Sequence, residues 1–202
     1  NTALIGGTMV EVPLTIIGHN ELNENVKGNI DRINSDFFSK INISWKIPNN
    51  NISNNNLNED YIKNNNVREN TNLVNNPNSA YLIFYSLNTT SAESPVITFD
   101  IPTTNYRSPI IFYGFHDSIT ISDHDRKLIQ ALCSALGLTS REGNNIMSTD
   151  PVNTSKNVTE AQVRIMMQHV EKLTNTRISP ESITVNNNNV SPELQAVLDK
   201  VE

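Results

Sequence analysis

Apolar positions along the chain fall into stretches of two different periods. Residues 9–17 are densely apolar and β-branched, the composition of a buried strand. Across residues 23–40 the apolar positions are Val26, Ile30, Ile33 and Phe37, spaced four, three and four, which is one buried stripe of a helix. Asp31, Arg32 and Asp36 are left for solvent, and Gly28 costs some helix propensity without breaking the pattern. Residues 41–47 alternate toward a second strand that stops at Pro48. Residues 81–87, 96–101 and 109–115 are three more apolar runs bounded by Asn, Ser and Pro, and they complete a sheet of about five strands.

Two further helices are expected. Ser122-Asp123-His124-Asp125 reads as a capping box ahead of Leu128, Leu132 and Leu136, which share one core face. Gln130 and Ser134 then fall on a different face, where a cleft floor would lie. Thr159 and Gln162 form a second capping box, followed by the stripe Val163, Met166, Val170 and Leu173. Residues 177–189, with Pro180, read as a linker, and Ser191 caps a small helix carrying Leu194, Leu198 and Val201. The expected organisation is one domain over residues 1–176, then a linker and short C-terminal helix over 177–202.

Composition adds a polar interruption. Residues 49–79 are asparagine-rich and too poor in apolar side chains to build core, so they are expected to form a surface loop with a short turn over 57–62. The six N-x-S/T sequons are about as many as chance predicts from this composition, so they carry no weight as glycosylation sites. Asparagine abundance itself needs no more than an AT-rich genome.

Charge and length narrow the partners. The net charge is -6 with no Lys/Arg run, so a nucleic-acid partner gains no electrostatic support. No apolar run approaches the roughly 20 residues that cross a bilayer. A single cysteine excludes an internal disulfide. A chain that starts at Asn1 rather than at methionine is expected to be a processed or trimmed product.

The segment Gln130-Ala131-Leu132-Cys133-Ser134-Ala135-Leu136-Gly137-Leu138-Thr139-Ser140, with Asn145-Ile146-Met147-Ser148 after it, carries a resemblance. It is similar to the active-site helix and methionine turn of the metzincin zinc peptidases, whose pattern is H-E-x-x-H-x-x-G-x-x-H. Gly137 and Met147 match the glycine and the methionine. Gln130, Ser134 and Ser140 stand at the three zinc-ligand positions and Ala131 at that of the general base. The resemblance extends over about residues 10–173. It includes Ile33-Asn34-Ser35-Asp36-Phe37, similar to a pappalysin-type helix, and the T-x-x-Q entry at Thr159, similar to matrixin-like members. A glycine-ended helix with a later methionine is also an ordinary combination, so the order of elements carries the likeness.

The resemblance implies an α/β (α+β) fold: a mixed, twisted, about five-stranded sheet, two long helices packed on it and a last helix after the methionine turn. It also implies a pseudoenzyme. An amide and two hydroxyls are poor zinc ligands, and Ala131 takes no proton. No metal and no cofactor are therefore expected, and the expected function is binding a protein or an extended peptide, another copy of the chain included. Relatives of this type are mostly exported, so a secreted or cell-envelope location is expected.

Other chemistry competes with plainer roles. His116-Asp117 and Asp123-His124-Asp125 could form a non-standard hydrolase or metal site over residues 116–125, but surface or capping roles fit them better. A structural component of a secreted or virion assembly is the other alternative. Glu59 and Asp60 are too few oxygens for calcium. Cys133 lacks a local histidine and reads as a buried structural thiol. His19 and His169 are isolated, with His169 expected on the wet face of the last helix.

Overall fold

The computed structural model describes residues 9–18, 20–48, 52–53, 78–86, 99–100, 108–115, 121–150 and 152–178. Its strands are β1 (Val10–Gly18), β2 (Ile43–Lys46), β3 (Ile52–Ser53), β4 (Ala80–Ser86), β5 (Phe99–Asp100) and β6 (Ile110–Phe115). Its helices are α1 (Asn20–Asp36), α2 (Ile121–Ala135) and α3 (Glu160–Thr174), with a 3-10 turn at Phe38–Ile41. The protein is mixed α/β.

The sheet runs in the order β2-β1-β4-β6-β5. Its first four strands are parallel, and β5 pairs antiparallel with β6. Parallel neighbours need a crossover, and α1 supplies the one between β1 and β2. Ile17 pairs with Ile83 of β4 and also with Ile52 of β3, so β3 lies on the same side of β1 as β2 does.

Both faces of the sheet are buried, which is why its strands read as continuous apolar runs. Val12, Leu14, Ile16, Leu82, Phe84 and Ile111 point into the main core with the apolar stripes of all three helices. Ile17, Tyr81, Ile83, Ile110 and Phe112 form a second apolar cluster from the alternate positions. Each such side chain, fully buried, contributes about 1.5–3 kcal/mol.

The expected stripe of α1 is buried: Val26, Ile30, Ile33 and Phe37. The α-helix stops at Asp36, earlier than the apolar spacing suggested. Phe37 and Phe38 meet edge to face at 4.9 Å, and Phe38 meets Trp45 at 5.8 Å, so the 3-10 turn tucks both rings under β2. Asn42 then takes a left-handed backbone and its carbonyl accepts from Val10 N at 2.8 Å, which starts the β1–β2 pairing.

The edge of β2 is closed locally. Asn34 Nδ2 donates to the Trp45 carbonyl and Trp45 N–H donates to Asn34 Oδ1, each at 2.9 Å. An amide side chain thus stands where another strand would pair.

α2 begins at Ile121, ahead of the Ser122 expected as its cap. α3 begins as expected: Thr159 accepts from Gln162 N at 3.1 Å while Gln162 Oε1 accepts from Thr159 N at 2.9 Å. Most of the expected loop at 49–79, and the linker and last helix beyond 178, lie outside the described residues. Among the described residues, no helix is long and apolar enough to cross a membrane.

Candidate functional site

From Leu128 to Ala135 α2 is apolar except at Gln130 and Ser134, which continue at a spacing of four from Arg126. Arg126 and Gln130 face a turn at 145–148. Gln130 is 6% exposed. Its Nε2 donates to the Ile146 carbonyl at 2.9 Å and to the Ser148 carbonyl at 3.0 Å, one bond on each side of Met147. Met147 is itself buried in the main core.

The turn closes on itself and is held from three directions. Ser148 N donates to the Asn145 carbonyl at 3.1 Å, and Met147 N to Asn145 Oδ1 at 3.0 Å. Ile146 N reaches the Asn157 carbonyl at 2.8 Å. Arg126 extends its guanidinium to the carbonyls of Asn145, Ile146 and Ser155, and burial lowers its pKa from the usual arginine value. From α3, Gln162 exchanges two hydrogen bonds with Asn145.

α2 ends in a Schellman motif. Gly137 N donates to the Ser134 carbonyl at 3.0 Å and Leu138 N to the Cys133 carbonyl at 3.1 Å. Gly137 has φ +93°, and a Cβ there would fall inside the ring of His169. Glycine is required twice over, for the backbone and for the packing. The chain then returns past the turn, where Arg141 N donates to the Met147 carbonyl at 3.2 Å.

The positions singled out in the sequence thus differ in exposure. Gln130 is buried against the turn rather than open on a cleft floor. Ala131 is sealed in the core at 0% exposure, so a carboxylate there would have no water to activate. Ser134 is half-buried and Ser140 is exposed. Gly137 ends α2 with a positive φ, and Met147 lies buried within the turn.

Of the rival site at residues 116–125, the structure describes only residues 121–125. His124, expected in a surface or capping role, lies in the first turn of α2 and is 1% exposed, with Nδ1 3.0 Å from the Tyr113 hydroxyl. It is buried because the first turn of α2 lies over β6, and burial pushes the Tyr113 pKa up. Asp125 accepts from Arg32 Nε at 3.0 Å and is committed to joining α1 to α2. His19, His116 and Asp117 lie outside the described residues. No cluster of three His, Cys, Asp or Glu side chains occurs among the described residues.

Cys133 is fully enclosed, which raises its pKa and makes it a structural thiol. His169 is not simply wet: it is half-buried over Gly137, with Nδ1 2.9 Å from the Ile165 carbonyl. Arg126 and Asn145 were missed as contributors. The spacing of four from Arg126 to Gln130 was the available signal for Arg126. Nothing local marks Asn145, whose partner is 17 residues away.

No protein-family model matches the chain, and no curated protein is significantly similar to it.

Proposed function

We propose that the chain is a metzincin-type domain that has lost zinc hydrolysis and works by holding a protein or an extended peptide. The observation that carries this reading is the contact of Gln130 with both carbonyls flanking Met147. It joins the first ligand position of the family pattern to the methionine turn. The element order supports it as well: a helix between two parallel strands, a glycine-ended helix after β6, the turn, and a T-x-x-Q entry to the last helix.

The chemistry left at the site supports binding over hydrolysis. Gln130 and Ser134 offer neutral hydrogen-bonding groups, and Ala131 offers no base. An extended segment is best accepted by adding to a sheet edge, where main-chain hydrogen bonds supply affinity. The β2 edge is closed at Trp45 by Asn34. We place the peptide track at the opposite edge, along β5, of which Phe99–Asp100 is described.

The test is to pass a mixture of extended peptides over the immobilised protein and analyse both fractions by mass spectrometry. Retained, uncut peptides support the proposal. No retention, or cleavage above the blank, contradicts it.

A further inference from the structure

We infer that Gln130 is an amide clasp that holds the turn at 145–148 against α2 together with its other donors, and that the residues around it do not fit a zinc ion. The clasp rests on hydrogen bonds and stands whether or not the peptide-binding reading does; the misfit to zinc takes its ligand positions from the metzincin-type reading.

The orientation of the carboxamide is fixed by its neighbours. The atom lying 2.9 and 3.0 Å from two carbonyl oxygens must be the nitrogen, because an oxygen there would face two other acceptors. Both amide hydrogens are thereby used, one on each side of Met147.

All four carbonyls of the turn have donors within the protein. The Asn145 oxygen accepts from Ser148 N, the Ile146 oxygen from Gln130 and Arg126, the Met147 oxygen from Arg141 N, and the Ser148 oxygen from Gln130. Buried carbonyls left without donors are costly, so this complete set lets the turn persist unaided.

The donor set does not suit zinc. Zinc takes imidazole, thiolate or carboxylate, and the three pattern positions supply an amide and two hydroxyls. The amide nitrogen is already spent on the turn, and Ser140 is exposed. A histidine at 130 could turn at most one N–H toward the two carbonyls that Gln130 now satisfies. Clasp and ligand set are therefore alternative solutions at one position.

Native-state hydrogen exchange on the full chain tests this. Gln130→Met keeps the side-chain length and removes both donors. Exchange at the N–H groups of Arg141, Ile146, Met147 and Ser148 is expected to accelerate about tenfold, while Ile30 and Ile33 of α1 keep their rates. Gln130→Lys, which restores donors, is expected to recover much of the protection. If Gln130→Met does not fold, Gln130→Asn, which keeps the amide but shortens its reach, gives the same comparison. Wild-type rates at the turn, or acceleration only in step with α1, would overturn the inference.

Discussion

Asn145 and Gln162 hydrogen-bond each other in both directions through their side-chain amides. Asn145 Nδ2 donates to Gln162 Oε1 at 2.8 Å, and Gln162 Nε2 donates to Asn145 Oδ1 at 3.0 Å. Each amide oxygen also takes a backbone donor, Asn145 Oδ1 from Met147 N and Gln162 Oε1 from Thr159 N. One pair thus couples the methionine turn to the cap of α3. With Gln130 on the other side, the turn is gripped by amides from two helices.

Asn145→Asp replaces a donor by an oxygen facing Gln162 Oε1, in a site where both residues are buried. A loss of about 2–3 kcal/mol is expected, since the buried Gln162 acceptor is left facing another acceptor. Urea denaturation measures it. A loss below about 0.5 kcal/mol, within the range of ordinary surface substitutions, would show that the pair contributes little.

Gly137→Ala meets two penalties, the left-handed backbone at φ +93° and the His169 ring. Its cost is expected at about 1–3 kcal/mol. In a His169→Ala background the cost is expected to fall, because only the backbone part remains. Equal costs in the two backgrounds, by thermal denaturation of all four proteins, would remove the ring from the explanation.

Asn34 should protect the β2 edge by occupying the Trp45 backbone groups. Asn34→Ala leaves that N–H and C=O open to another chain. Concentration-dependent self-association is expected by analytical ultracentrifugation, beyond any shown by the wild type. Identical sedimentation of variant and wild type across concentrations would assign the amide a purely local role.

Stability should decline on the alkaline side. Burial raises the Cys133 thiol above its ordinary 9.0 and the Tyr113 phenol above its ordinary 10.0. The folded chain therefore keeps protons that the unfolded chain releases. Their contribution is complete below pH 9 and is lost as pH rises, first through Cys133 and then through Tyr113. Each group adds a slope of about 1.4 kcal/mol per pH unit once its unfolded value is passed. Chemical denaturation at pH 8, 9, 10 and 10.5 reads this directly. Stability that stays flat or rises from pH 9 to 10.5 would contradict the burial of both groups.

The elements whose own residues specify them were legible in the sequence. The stripe of α1, the Thr159–Gln162 cap and the left-handed glycine at 137 each depend on side chains a few residues apart. The short 3-10 turn at Phe38–Ile41 was not, because two adjacent aromatic rings pull the helix end toward Trp45 through tertiary packing. The burial of His124 was not legible for a similar reason. Its partner Tyr113 belongs to a strand that only the fold brings near. At the candidate site the pattern named Gln130 as a degenerate ligand. Its actual bonding, to carbonyls 16 and 18 residues away, depends on how the chain returns after Gly137.

The proposed metzincin-type reading requires a backbone still suited to a metal under different side chains. Its most direct measurement is zinc titration, by isothermal calorimetry, of the variant carrying Gln130→His, Ser134→His and Ser140→His, beside the wild type. Saturable binding of one equivalent by the variant, none by the wild type, and a rise in the melting temperature of the variant with zinc are expected. A folded variant that takes up no zinc would contradict that reading.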